Sequence, residues 1–115
     1  MKLVVAIIQP TKVDTVQAAL ANVGVNRMTV CDAAGFARQR GQLPTYRGME
    51  YNTQLLRKIM LEIVVNDDFV DRTIETIMTT AKTGPEGTIG DGKIFVFPVD
   101  EVYQISEDLV GPEAV

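Results

Sequence analysis

Residues 83–93 read Thr83-Gly84-Pro85-Glu86-Gly87-Thr88-Ile89-Gly90-Asp91-Gly92-Lys93, closely spaced glycines that end in a lysine. Such a run lets successive backbone N–H groups turn toward an anion, and the ammonium adds positive charge. It is not a Walker A loop, because Ile94 stands where Ser or Thr is required and a strand-like run follows in place of a helix. Taken alone, a Gly-Asp-Gly-Lys run makes a tight turn more often than a phosphate cradle. A second group is Arg38-Gln39-Arg40-Gly41 with Tyr46-Arg47-Gly48-Met49-Glu50-Tyr51. Arginine presents a fixed fork that suits phosphate oxygens, and a tyrosine at a loop tip is open to modification or to insertion into a partner. A solvated loop accounts for the same residues equally well.

Other chemistries are poorly supplied. The chain has 115 residues and no histidine, so the commonest general base and the commonest metal ligand are both missing. Its one cysteine, Cys31, excludes an intramolecular disulfide and points to a reducing cytoplasm. Apolar residues make up 46% and charged residues 23%, the mix of one ordinary globular domain. The longest apolar run, Leu3 to Ile8, is far too short to span a bilayer, so no membrane insertion is expected. The net charge of −4 is unevenly spread. Residues 38–58 carry Arg38, Arg40, Arg47, Arg57 and Lys58 against Glu50, while 86–115 carry seven acids against Lys93. A basic segment in an acidic chain suits phosphate, carboxylate or an acidic partner surface, but not duplex nucleic acid, which needs a broad basic face.

The elements that must position these groups follow from periodicity. Leu3–Ile8 reads as a strand buried on both faces. Val13, Val16, Leu20 and Val23 form one helical stripe, started by Pro10 and Thr11 and stopped by Gly24. A short strand is expected over Met28–Asp32, then a long aperiodic loop from Ala37 to about Leu56. Met60–Val65 is a third strand. A helix capped by Asn66, Asp67 or Asp68 follows, with the stripe Val70, Ile74, Ile77, Met78 and Ala81. Ile94–Phe97 is the fourth strand, and the tail has weak β character around Val102 to Ile105. The order β-α-β-β-α-β gives an α+β, two-layer ferredoxin-like domain, with both helices on one face of an antiparallel sheet. The other face still carries apolar side chains, and self-association is the simplest way to bury them.

The two chemical segments stand in one order on this frame, together with Gly35-Phe36, Lys58 and Lys93-Ile94-Phe95-Val96. The whole resembles the PII signal-transduction family (GlnB and GlnK proteins) over residues 1 to about 99. The resemblance implies a single domain over 1–115, a homotrimer, and ATP or ADP (AMP is a further candidate) bound between subunits. Residues 37–55 would be the T-loop that contacts a target protein, about 82–92 the B-loop, and 100–115 the closing tail. Thr29 and the Val64 backbone would read adenine, with Glu62 toward the ribose and Gly35 in the same set. Arg38, Gly90, Asp91, Gly92 and Lys93 would hold phosphates. Gln39 and Lys58 would bind 2-oxoglutarate with Mg2+, with no metal site from the protein alone. Arg47 matches a residue that enters ammonium channels, and Tyr51 one that is uridylylated. The implied role is non-enzymatic: regulation of a transporter or an enzyme of nitrogen or carbon metabolism in the cytoplasm. Its competitors are a similar trimer that senses another small molecule and a slow ATP-hydrolysing or phosphoryl-transfer protein.

The chain departs from that pattern in four places. Pro85-Glu86-Gly87-Thr88 stand where the family has a single residue, Ala37 replaces a glycine, and Gln9 replaces a lysine. In the tail, Gln104 and Ser106 occupy positions usually held by arginines, and Glu107 and Asp108 follow. Weaker ATP binding is expected, with preference moved toward ADP or AMP.

Overall fold

The computed structural model of the chain describes residues 1–38, 45–46, 49–50 and 53–115, with side chains described outside 35–56. In chain order its elements are β1 (Lys2–Ile8), α1 (Val13–Asn22), β2 (Thr29–Arg38), β3 (Thr45–Tyr46), β4 (Met49–Glu50), β5 (Thr53–Val65), α2 (Asp67–Thr80) and β6 (Gly92–Pro98). The main sheet has the order β2-β5-β1-β6, and every neighbouring pair is antiparallel. Each helix crosses from one strand to a second that lies two places away in the sheet. This is the expected ferredoxin-like α+β fold.

Burial along the two central strands, β1 and β5, alternates strictly although their composition does not. Val4, Ala6, Ile8, Ile59, Leu61, Ile63 and Val65 are buried beneath the helices, while Leu3, Val5, Ile7, Met60 and Val64 on the other face are only half-buried. Val16 and Leu20 of α1 and Ile77 of α2 complete the core. Burying each such side chain contributes roughly 1.5–3 kcal/mol relative to exposure. A short 3-10 turn, Pro10–Lys12, leads into α1, where the fixed φ of proline is already helical. Gly24 ends the helix at φ 89°, donating to Ala21 O at 3.1 Å while Val25 N donates to Leu20 O at 2.9 Å.

Three sequence expectations change. The second and third strands are much longer than expected: β2 and β5 form one continuous ladder from Thr29 opposite Glu62 to Arg38 opposite Thr53. Backbone hydrogen bonds carry a ladder beyond the point where the apolar pattern stops. The long loop therefore shrinks, and within it Thr45 and Tyr46 pair with Glu50 and Met49. Met78, placed on the buried stripe of α2, is 53% exposed. Thr73 is buried in the core instead, its hydroxyl donating to Phe69 O at 2.7 Å, which satisfies it without a partner from another element. Asn66 begins α2 but makes no side-chain cap. Its amide donates to Pro112 O at 3.3 Å and so ties down the tail.

The tail folds back on itself. Tyr103 bridges Val110, Gly111 N donates to Val102 O at 2.8 Å, and Ala114 is buried in a closing turn. Among the described residues no helix is long and apolar enough to cross a membrane.

Candidate functional site

The register gathers the candidate residues on the sheet face that the helices leave open. Thr29 stands opposite Glu62, Glu62 opposite Val5, Val64 opposite Leu3, and Lys93 opposite Ile7. Side chains alternate along a strand, so Thr29, Lys58, Glu62, Val64 and Lys93 all project from this face. Phe95 and Phe97 share it, stacked with ring centroids 6.5 Å apart and about half exposed. Gly35 and Arg38 lie farther along β2, opposite Leu56 and Thr53. Gln39, Arg47 and Tyr51 lie outside the described residues.

The glycine loop enters β6 at one end of that face, and Asp91 holds it together. The Asp91 carboxylate accepts from Thr83 N at 3.0 Å, Thr83 Oγ1 at 2.7 Å, Thr88 N at 2.8 Å, Thr88 Oγ1 at 3.1 Å and Gln9 Nε2 at 3.2 Å. Its own N–H donates to Thr88 O at 3.2 Å. The two bonds from Thr83, backbone first, and the two from Thr88 hold the carboxyl well below the usual carboxylate range. The structure thus gives Asp91 the work of bracing the loop, while Gly90, Gly92 and Lys93 line the run itself. The Gly90 carbonyl accepts from Lys58 Nζ at 2.5 Å and from Gln9 Nε2 at 3.4 Å, which links β5 and β1 to the loop.

A depressed carboxylate stabilises the fold above its unfolded pKa, about 3.9, and that contribution is lost as pH falls through the lower folded value. The loop amides of Thr83 and Thr88 should therefore keep their neutral-pH NMR shifts down to about pH 4 and move only in stronger acid. In Asp91→Asn these shifts should already be displaced at pH 7.

The sequence did not single out Gln9, Thr83 or Thr88 as part of this brace. Gln9 stands 82 residues from Asp91, and nothing in the local pattern marks the pairing. Among the described residues no group of three acids and cysteines is placed to hold a metal ion.

Comparison with known proteins agrees with this geometry. The family model for nitrogen regulatory protein P-II matches residues 1–108. Nitrogen regulatory protein GlnK1 of Methanosarcina mazei is 46% identical over 115 residues, all of this chain and 97% of the relative. Nitrogen regulatory protein P-II of Nostoc punctiforme is 48% identical over the full length of both chains. Nitrogen regulatory protein P-II 1 of Escherichia coli is 52% identical over 105 residues, 91% of each chain. With its fold, its open sheet face and its braced glycine loop, the chain belongs to the P-II family of nitrogen regulatory proteins.

Proposed function

We propose that this P-II protein is a non-enzymatic cytoplasmic switch that reads adenine nucleotides between the subunits of a homotrimer. The observation that carries the reading is the shared open face, where Thr29, Glu62 and Val64 stand at one end and Lys58 and Lys93 at the other. Adenine and ribose would meet Thr29, Val64 and Glu62. Phosphates would rest on Gly90, Gly92 and Lys93, with Gly35 and Arg38 approaching along β2. Asp91 would act indirectly, by holding those N–H groups in place. A trimer would cover the half-exposed Phe95 and Phe97 and complete each cleft with a neighbour.

Nucleotide state would be passed to residues 37–55 through the ladder that carries Arg38. A ligand shifts that loop only by contacting its alternative states differently. Lys58, which holds the Gly90 carbonyl, is the described residue best placed for this coupling. An acidic effector such as 2-oxoglutarate would have to draw the Lys58 ammonium away from Gly90, with Gln39 and a phosphate-borne Mg2+ as further ligands. Arg47 and Tyr51 would meet the target, a transporter or an enzyme of nitrogen or carbon metabolism.

The tail carries Gln104, Ser106, Glu107 and Asp108 and no arginine. Each charge-assisted hydrogen bond is worth roughly 1.5–3 kcal/mol, so lacking two weakens triphosphate binding by about two to four powers of ten. Titration calorimetry with ATP, ADP and AMP, with and without 2-oxoglutarate and Mg2+, tests the reading on protein shown to be trimeric by sedimentation equilibrium. Saturable binding in which ATP has lost its lead over ADP and AMP is expected. A stable 12.6 kDa monomer, or no binding of any of the three, would sink it.

A further inference from the structure

The glycine loop has a second side. Lys93 faces the open sheet surface, but the next residue, Ile94, stands opposite Ala6 and faces the helices. Behind it lies a cavity of about 450 Å³, walled by Ile8, Ile77, Met78, Ala81 and Ile94 and roofed by residues 86–89. Small-molecule sites span roughly 300–1,000 Å³ and have apolar walls with a few placed polar groups, and this cavity has that character. Met78 is 53% exposed and Ile89 is 82% exposed at its mouth, both apolar and both left without cover.

Two side chains supply charge there. Lys82 follows the end of α2, its stem lying along the loop beside Gly87. Glu86 comes from the Pro85–Thr88 segment that enlarges the loop. Neither makes an ion pair among the described residues. Asp91 also borders the cavity, but its carboxylate is already taken by five donors within hydrogen-bond distance. Ile7, Gly92 and Lys93 border the cavity too, but by strand alternation the Ile7 and Lys93 side chains project from the opposite face. The mouth therefore offers one cation and one anion above an apolar pocket. A simple carboxylate would leave Glu86 opposing it, and a simple amine would leave Lys82 opposing it. A molecule carrying both charges on one end and a hydrocarbon chain on the other satisfies every group.

We propose that this cavity is a binding site for an apolar α-amino acid. The carboxylate meets Lys82, the ammonium meets Glu86, and the side chain enters between Met78, Ala81 and Ile94. The apolar walls belong to the helix side of the loop, while Ile7, Gly92 and Lys93 at the cavity's inner end also border the proposed nucleotide face. The two sites share the Gly87–Asp91 backbone, so an occupant presses on the brace that shapes the other side.

The probe is L-leucine, titrated into the isotope-labelled full chain with amide shifts followed by NMR. The controls are 4-methylpentanoate, which lacks the ammonium, and 3-methylbutylamine, which lacks the carboxylate. Leucine should give saturable shifts confined to residues 77–94 with Kd near or below about 1 mM, and neither control should match it. Glu86→Gln and Lys82→Met, both at exposed positions, should each weaken leucine about tenfold or more and leave the fold intact. Absence of saturation at about 10 mM overturns the proposal. So does a control that binds as tightly as leucine, or leucine binding that is unchanged in both variants. Thr29→Ala, on the open face and outside the cavity lining, should leave leucine binding unchanged, which keeps this result distinct from the fate of the nucleotide reading.

Discussion

If the proposed nucleotide site is correct, replacing Lys93 with alanine should lower adenine-nucleotide affinity by roughly a hundredfold or more, while thermal stability should stay close to that of the parent chain. The ammonium projects from the open face at the point where the glycine run enters β6. It is exposed, so its removal exposes no core and leaves no buried partner unsatisfied. The loss therefore falls on the ligand, since an ammonium beside polyphosphate makes charge-assisted bonds worth roughly 1.5–3 kcal/mol each. Lys82→Ala is the matched control: the same charge leaves the same loop, but from the helix side. Titration calorimetry on the two variants should show a large loss for Lys93→Ala and a small change for Lys82→Ala. Equal losses would mean that general electrostatic attraction, not a placed contact, holds the phosphates. ATP binding that is tight and insensitive to Lys93→Ala would show that the phosphates lie elsewhere.

The strands and helices that fill the core were legible because burial leaves a pattern. Leu3–Ile8, the stripe Val13, Val16, Leu20, Val23 and the run Met60–Val65 all mark elements that the structure contains. The extension of β2 to Arg38 and of β5 back to Thr53 was not legible. Backbone pairing between two arms needs no apolar period, and Gly35 and Arg38 do not advertise a strand. Thr73 and Met78 exchanged places for a related reason. A threonine hydroxyl can close on its own helix at Phe69 O, so a polar residue enters the core at little cost while methionine stays at a cavity mouth.

The candidate site was legible in part. Glycine spacing and Lys93 marked the loop, and the register then brought Thr29, Glu62 and Val64 onto the same face. Asp91 was read as one more residue beside the anion. Its actual partners are Thr83, Thr88 and Gln9, and a side chain that organises a loop looks the same in sequence as one that meets a ligand. In sequence the Pro85–Thr88 segment is an enlargement of the phosphate loop, whose acid opposes an anion and whose extra N–H groups could serve one. In three dimensions it roofs a cavity on the other side.

The largest stability loss is expected at Gly92, where β6 begins against β1. Its φ of 125° lies in the region that L side chains rarely adopt, and its place opposite Ile8 leaves no room above it. A Cβ there would overlap the Ile7 carbonyl oxygen and stand 2.8 Å from its carbon. Both are backbone atoms of a central strand, so neither can swing aside as the end of a flexible side chain would. Gly92→Ala must shift the start of β6 or break rungs of the β1–β6 ladder, at a cost of about 2–4 kcal/mol. For a chain of this size that lowers Tm by about 10–15 °C at fixed protein concentration. Gly84 separates strain from contact: its φ is also positive, at 70°, but a Cβ there meets nothing within 4 Å. Gly84→Ala should therefore cost only about 1 kcal/mol, from backbone conformation alone. Thermal unfolding of the two variants checks the order. Equal losses would assign the whole effect to backbone conformation and none to the packing of β6 on β1. Gly92→Ala should also abolish nucleotide binding, because Lys93 moves with the strand, whereas Lys93→Ala loses the ligand without losing the fold.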